Sequence, residues 1–244
     1  MPTSQGRHGE RNRLLLALSG EEYERLLPSL EALSIPAGRV LYQTRQPIGA
    51  VYFPQRSVVS MLVAGSDGEW VEVQTVGNEG IVGLGVFLGE RTAIAKTVAR
   101  VPDHAMKMSA AALRNALRGS ESLCRVLFQY TQSVLGALSQ AIVCHRMHGL
   151  EARCAHCLLT TQDRVGADRF LLKQSSLAQM AGARRPSITI AAAALRRAGL
   201  IHYSRGHMTI VDREGLEAAS CSCYGKLRGE YERLFKPSRV GASS

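Results

Sequence analysis

The stretch Gln174-Ser-Ser-Leu-Ala-Gln-Met-Ala-Gly182-Ala-Arg-Arg-Pro186-Ser-Ile-Thr-Ile-Ala-Ala-Ala-Ala-Leu195 reads as two short helices joined by a glycine turn. In the first helix Leu177 and Ala181 face a core, and Ala178 is small where two helix backbones approach closely. Gly182 sits where the turn calls for a positive φ, which glycine adopts without steric cost. Pro186 suits the first turn of the second helix, where its missing N–H breaks no hydrogen bond. Ile188, Ala191 or Ala192, and Leu195 give that helix its buried side. Around this hairpin the charge is one-sided. The forty-three residues from Arg169 to Val211 hold seven Lys or Arg and no Asp or Glu, while Asp168 and Asp212 stand just outside. A tight helical hairpin with an acid-free, basic second helix suits the DNA major groove. An ordinary hairpin with a solvated basic face would leave the lack of acids unexplained.

Positions follow from that reading. Arg184, Arg185, Pro186, Thr189 and Ile190 are exposed in the first turn and expected at base edges, with Arg185 the candidate for a bidentate contact to guanine. Lys173, Ser187 and Arg205 are assigned to phosphate, and Ser175 joins the DNA-contacting set. Ile201-His-Tyr-Ser-Arg-Gly-His-Met-Thr-Ile-Val211 reads as a hairpin turning near Arg205-Gly206 and serving as a wing.

Upstream the texture is different. Leu14 to Leu33 has apolar residues at helical spacing, with Ser19, Glu21 and Glu22 marking a helix start. From Leu33 to Met108, β-rich pieces (Val51-Tyr-Phe, Val58 to Val63, Trp70 to Val76, Thr97 to Val101) alternate with turns at Pro36-Ala-Gly38, Gln46-Pro47, Gly65 to Gly68 and Gly77 to Gly80. Many short strands at this spacing predict a jelly-roll sandwich or barrel. After Ser109 helical periodicity takes over. Leu123, Leu127, Tyr130, Val134, Leu138, Ala141 and His145 form a stripe read as the seam with a second subunit, the alternative being that it covers only its own barrel. A helix from Leu150 to Thr161 leads into the basic segment, and Arg213 to Phe235 reads as one closing helix.

The division expected is therefore a frayed start over 1–12, a sensory β-roll over 13–108, a long dimerisation helix over 109–147, a winged helix-turn-helix over 148–235 and a tail over 236–244. The class is α+β. A net charge of +10 over 244 residues favours a polyanionic partner. The longest nearly apolar run, Ile81 to Gly89, is too short to cross a bilayer, so no membrane partner is expected. The polar start (Ser4, Gln5, Arg7, His8, Glu10, Arg11) lacks an apolar signal core, and a cytoplasmic location follows.

This order of parts resembles the cyclic-AMP receptor protein/fumarate-nitrate regulator (Crp/Fnr) superfamily of transcription regulators, from about Leu14 to Phe235. The motifs that carry the likeness are Ile35-Pro-Ala-Gly38 and Val51-Tyr-Phe-Pro54 in the roll. In the reader they are Leu177-Ala-Gln-Met-Ala-Gly-Ala-Arg-Arg185 and Leu195-Arg-Arg-Ala-Gly-Leu-Ile201. The resemblance implies a homodimer on a palindromic operator of double-stranded DNA, contacting RNA polymerase. Pro186 stands where related members often carry Glu, so the sequence preference should differ.

In cyclic-nucleotide-binding members a Gly-Glu-Leu-type turn precedes an Arg-Ser/Thr-Ala that pairs with the cyclic phosphate. Gly80 to Ala93 echoes this in part, which would give Glu79 the ribose role and Arg91 with Thr92 the phosphate role. The order around Glu79 is altered and the spacing to Arg91 is longer, so a roll that has lost the nucleotide is favoured. No cofactor is assigned.

The six cysteines read as thiols rather than a disulfide framework. Cys154-Ala-His-Cys157 shares a helical face with Leu150, Leu158 and Thr161, the pattern of a buried stripe. Zinc would need two further ligands, with Cys144, His145 and His148 nearby in sequence. Leu158 stands where covalent haem needs His. An iron–sulfur cluster of this family would use cysteines near the N-terminus, yet the first is Cys124. Cys221 and Cys223 are placed in the last helix, pointing in different directions and packing. No metal ligands are assigned.

Gly83-Leu-Gly85-Val-Phe-Leu-Gly89 lacks the spacing and context of a nucleotide loop. No catalytic signature stands out, and a catalytic cupin would need more than His104 in the roll. The expectation is a regulator and not an enzyme. The alternative is a cyclic-nucleotide-responsive or thiol/metal redox sensor acting mainly through protein contacts.

Overall fold

The computed structural model describes residues 11–66 and 68–236. Most of the segment expected to fray, 1–10, and the tail from 237 lie outside them. Asn12 does not fit a frayed start: it is fully buried, its side-chain oxygen accepts from the Leu15 N–H, and its amide donates to the carbonyls of Pro54 and Gly80. It caps α1 (Arg13–Leu16) and pins it to the roll. Helix α2 (Gly20–Leu26) starts as predicted, with Ser19 and Glu22 bonding reciprocally in a capping arrangement. The helical reading stops short of Leu33. Pro28 sits in a three-ten turn, and β1 (Glu31–Ile35) begins in its place.

The strands that follow are β2 (Val40–Tyr42), β3 (Ala50–Pro54), β4 (Val58–Ala64), β5 (Trp70–Val76), β6 (Lys96–Val101) and β7 (Asp103–Ser109). They form two antiparallel sheets, ordered β1-β7-β3 and β2-β6-β4-β5. Ile35, Val51, Phe53, Val59, Ile81, Val82 and Met108 fill the space between them. The expected roll is present.

Helix α3 (Ala110–Arg118) is separated from α4 (Glu121–Met147) at Gly119-Ser120, where the Ser120 hydroxyl accepts from the Leu123 N–H and caps α4. The stripe assigned to a second subunit goes elsewhere. Leu123, Leu127, Tyr130 and Val134 are buried in the core of their own roll. Phe128, Leu135 and Ile142, two heptads long, stand on another face and remain exposed. The period was legible, but a period reports a buried face without saying what buries it.

A second core is built by α5 (Leu150–Val165), β8 (Arg169–Leu171), α6 (Gln174–Met180), α7 (Arg185–Arg197), β9 (Ile201–Ser204), β10 (His207–Ile210) and α8 (Arg213–Ala219). Val58 and Val101 of the roll pack into this cluster, so the two halves share apolar surface. The closing segment is two helices rather than one. α8 ends at Ala219, and α9 (Cys223–Leu234) begins after a break and runs back along α4. Ser, Cys and Ser at 220–222 are weak helix formers and permit the break. No helix among the described residues is long and apolar enough to cross a membrane.

Candidate nucleic-acid interface

The hairpin has the geometry its residues call for. α6 and α7 meet at Gly182, which adopts φ 59°. A Cβ there would stand 2.3 Å from the imidazole of His145, so glycine serves both the turn and the close approach of α4. Leu177, Ala178 and Ala181 are buried on the first helix, and Ile188, Ala191, Ala192 and Leu195 on the second. Both alanines left open by the sequence take part.

The opposite face of α7 is free. Arg184, Arg185, Pro186, Ser187, Thr189 and Ile190 are all exposed, as are Lys173, Ser175 and Arg205. Arg184 is the residue before the first turn and offers no side-chain cap, and Pro186 lies within that turn. The leading N–H groups therefore have no side-chain acceptor and point where an anion would be stabilised. Ile190 is 70% exposed, an aliphatic surface of the kind that packs on a thymine methyl. Thr189 is less free than the others: its hydroxyl lies 3.2 Å from Gln174 Oε1 and 3.0 Å from the Arg185 carbonyl. Gln174, which the sequence reading did not include, thus reaches the same face from α6.

β9 and β10 pair through Ser204 and His207, leaving Arg205-Gly206 as a two-residue turn with φ 49° and 83°. Positive φ at both positions is the tight hairpin form, and it holds Arg205 at the tip of the wing. Among the described residues, none of Arg169, Lys173, Arg184, Arg185, Arg196, Arg197 and Arg205 forms an ion pair. Among the described residues, no acidic side chain pairs with the positive charge of this segment.

The candidate effector residues are not brought together. Glu79 is buried and committed to Arg164, whose guanidinium nitrogens lie 2.7 and 3.1 Å from its two oxygens. Arg91 and Thr92 are exposed on the connection before β6. Glu79 borders a cavity of about 360 Å³ between β5, α4, α5 and α9, and neither Arg91 nor Thr92 lines it. Arg164 also donates to the Thr75 carbonyl and hydroxyl, and so ties the reader domain to the roll. Arg100 of β6 adds a second tie, donating to Gln179 of α6 at 2.6 Å. Neither tie shows a pattern in sequence, because each joins residues at least 79 positions apart.

The thiols divide into two groups. Cys154 packs as expected, fully buried in the second core, and Cys157 leans on the same core. Burial pushes the Cys154 thiol up to about 12, which keeps it an inert neutral group. Cys221 and Cys223 depart from expectation. The break before α9 removes them from a common helix and turns both toward Cys144, with which they form a separate buried cluster.

Residues 152–219 match the family model described as the Crp-like helix-turn-helix domain. No curated protein matches the chain. Among solved structures, FixK2 from Bradyrhizobium japonicum superposes with a TM-score of 0.67 at 15% identity, over 79% of this chain and 98% of that one. TTHA1359, a transcriptional regulator of the CRP/FNR family from Thermus thermophilus, gives 0.63 at 20% identity, over 78% and 98%. The c-di-GMP-responsive global regulator CLP of Xanthomonas campestris gives 0.61 at 17%, over 79% and 99%. With its β-roll, long helix and winged reader, the chain carries a Crp-like helix-turn-helix domain on the fold of the Crp/Fnr regulators.

Proposed function

We propose that this protein is a cytoplasmic, sequence-specific DNA-binding transcription regulator of Crp/Fnr type that acts as a homodimer on a palindromic operator and contacts RNA polymerase. The observation that carries the reading is the face of α7 and the wing, where the basic side chains from Arg169 to Arg205 lack any ion-pair partner within the described chain. α7 enters the major groove with Arg185 reading guanine. Arg184, Pro186, Thr189 and Ile190 lie against base edges, and Lys173, Ser175, Ser187 and Arg205 hold phosphate. Two readers about 34 Å apart select the two half-sites. The chain is read as a binding protein, not an enzyme, and the Glu79–Arg164 pair argues against Glu79 as a nucleotide ligand.

The test is a mobility shift on an operator selected from random DNA. Losing a bidentate contact costs about 1–3 kcal/mol, so Arg185→Ala should weaken binding roughly 5- to 150-fold and relax the preference at one base pair. An Arg185→Ala protein that binds the selected operator as wild type does would remove the reader assignment.

A further inference from the structure

Four side chains from opposite parts of the chain converge behind the reader domain. Cys144 and His148 lie one turn apart at the end of α4, where His148 is the residue that closes the helix. Cys221 stands in the break between α8 and α9, and Cys223 opens α9. Their sulfur and imidazole nitrogen atoms all lie within 4.8 Å of one another. Cys144 Sγ is 3.5 Å from Cys221 Sγ, and Cys223 Sγ is 3.4 Å from His148 Nδ1.

Those distances have a specific meaning. Zinc–sulfur and zinc–nitrogen bonds of about 2.3 and 2.0 Å at the tetrahedral angle put ligand atoms about 3.5–3.8 Å apart. Two of the pairs are already close to that spacing, and the remaining ones lie within 4.8 Å, a short contraction from it. Simple packing of buried thiols accounts less well for what surrounds them. The Gln140 amide donates to Cys223 Sγ at 3.0 Å, and His156 Nδ1 lies 3.4 Å from Cys221 Sγ and 3.9 Å from Cys144 Sγ. An amide donor aimed at sulfur, as from Gln140, stabilises a thiolate, and outer partners such as Gln140 and His156 orient metal ligands. All four residues lie outside the segment 152–219 that matches the family domain, so the cluster is a feature of this chain apart from that match.

We propose that Cys144, His148, Cys221 and Cys223 form a Cys3His site for one thiophilic divalent cation of the zinc type. Four protein ligands leave no open position, so the site is structural rather than catalytic. It clamps the end of the long helix to the joint between α8 and α9. His156 and Gln140 act as its outer partners, and His145, which contacts Arg153, is not a ligand.

The experiment uses the full chain, purified under reducing conditions without a metal-binding tag. Elemental analysis should find one zinc per chain. After removal of the metal with a chelator, titration with Co2+ should produce thiolate-to-cobalt charge-transfer absorption that saturates at one equivalent and is displaced by Zn2+. Cys221→Ser combined with Cys223→Ser should abolish that absorption, and Cys124→Ser should keep it. Gln140→Ala should lower the affinity about 10- to 100-fold, as loss of an outer partner does. If the double variant fails to fold, the wild-type titration decides alone. Absence of cobalt–thiolate absorption in the reduced wild type overturns the proposal. So does an unchanged band in the double variant, or a Cys144–Cys221 disulfide in a chain that takes up no cobalt.

Discussion

Glu79 and Arg164 form a buried ion pair where the two halves of the molecule meet. Their side chains are only 4% and 7% exposed, and each is satisfied by the other and by Thr75 and the Gly77 N–H. Burial is the largest single influence and would depress the Arg164 guanidinium, but the field and hydrogen bonds of Glu79, together with Tyr231 and Tyr130, outweigh it and hold the group above its usual value. Gly77 makes the approach feasible: a Cβ there would stand 2.4 Å from Arg164 Cγ and Cδ. Removing one partner strands a buried charge, which costs about 3–5 kcal/mol, whereas replacing both with apolar groups costs much less. Urea unfolding should therefore show Glu79→Leu to be several kcal/mol less stable than wild type, with Glu79→Leu/Arg164→Met recovering much of the loss. A double variant that loses the sum of what Glu79→Leu and Arg164→Met lose singly would mean that the pair is not electrostatically coupled. The turn Gly77-Asn-Glu-Gly80 was legible as a turn. Its role as a junction was not, because the partner that fills it lies on α5, far along the chain.

At the scale of the element, α4 presents two faces. The one that packs on the roll holds Leu123, Leu127, Tyr130 and Val134, which the sequence offered as a dimer seam. The other exposes Phe128, Leu135 and Ile142 at heptad spacing, with Val143 and Met147 beyond. Three large aliphatic or aromatic side chains in one row are costly to leave in water and suit a coiled-coil contact with a second α4. The homodimer in the proposed function is accordingly placed on this row. Leu135→Glu should raise the dimer dissociation constant about 100-fold, equivalent to about 2.7 kcal/mol, read by sedimentation velocity. A variant that sediments as wild type would move the seam elsewhere. Both faces have helical period, and only packing distinguishes them. The hairpin α6–α7 is the contrasting case. Its glycine, its proline and its buried positions were legible because each is decided by local backbone geometry.

At the scale of the whole molecule, one buried acid sets an expected pH response. Glu72 lies under Arg100 at the contact between roll and reader, and burial pushes its carboxyl up to about 7 against the opposing pull of Ser60, Arg100 and Arg164. An acid raised in the folded state keeps its proton where the unfolded chain has released it. Its contribution is complete below the unfolded value and is lost as pH rises through about 7. The melting temperature should fall between pH 5 and pH 8 for this reason, and Glu72→Gln should flatten that fall. Parallel profiles for the two proteins would show that Glu72 is not the group responsible. A net charge of +10 concentrated partly on α7 and the wing also predicts that operator affinity drops steeply with salt. Titrations at two salt concentrations measure the slope, and Lys173→Ala should reduce it by about one phosphate contact.

What the sequence by itself determined was whatever depends on neighbours along the chain: the strand-rich roll, the long helical period, the glycine turn, the acid-free reader and the exposed side chains of its first turn. Propensity, turn geometry and local charge act over a few residues, so they can be read in order. Tertiary structure alone decided which face of α4 is spent on its own roll and where the closing helix breaks. It also decided that Glu79 belongs to Arg164, and that Cys144, His148, Cys221 and Cys223 share one point in space. Each of these depends on which distant surface completes a burial or satisfies a charge, and a linear period carries no record of its partner.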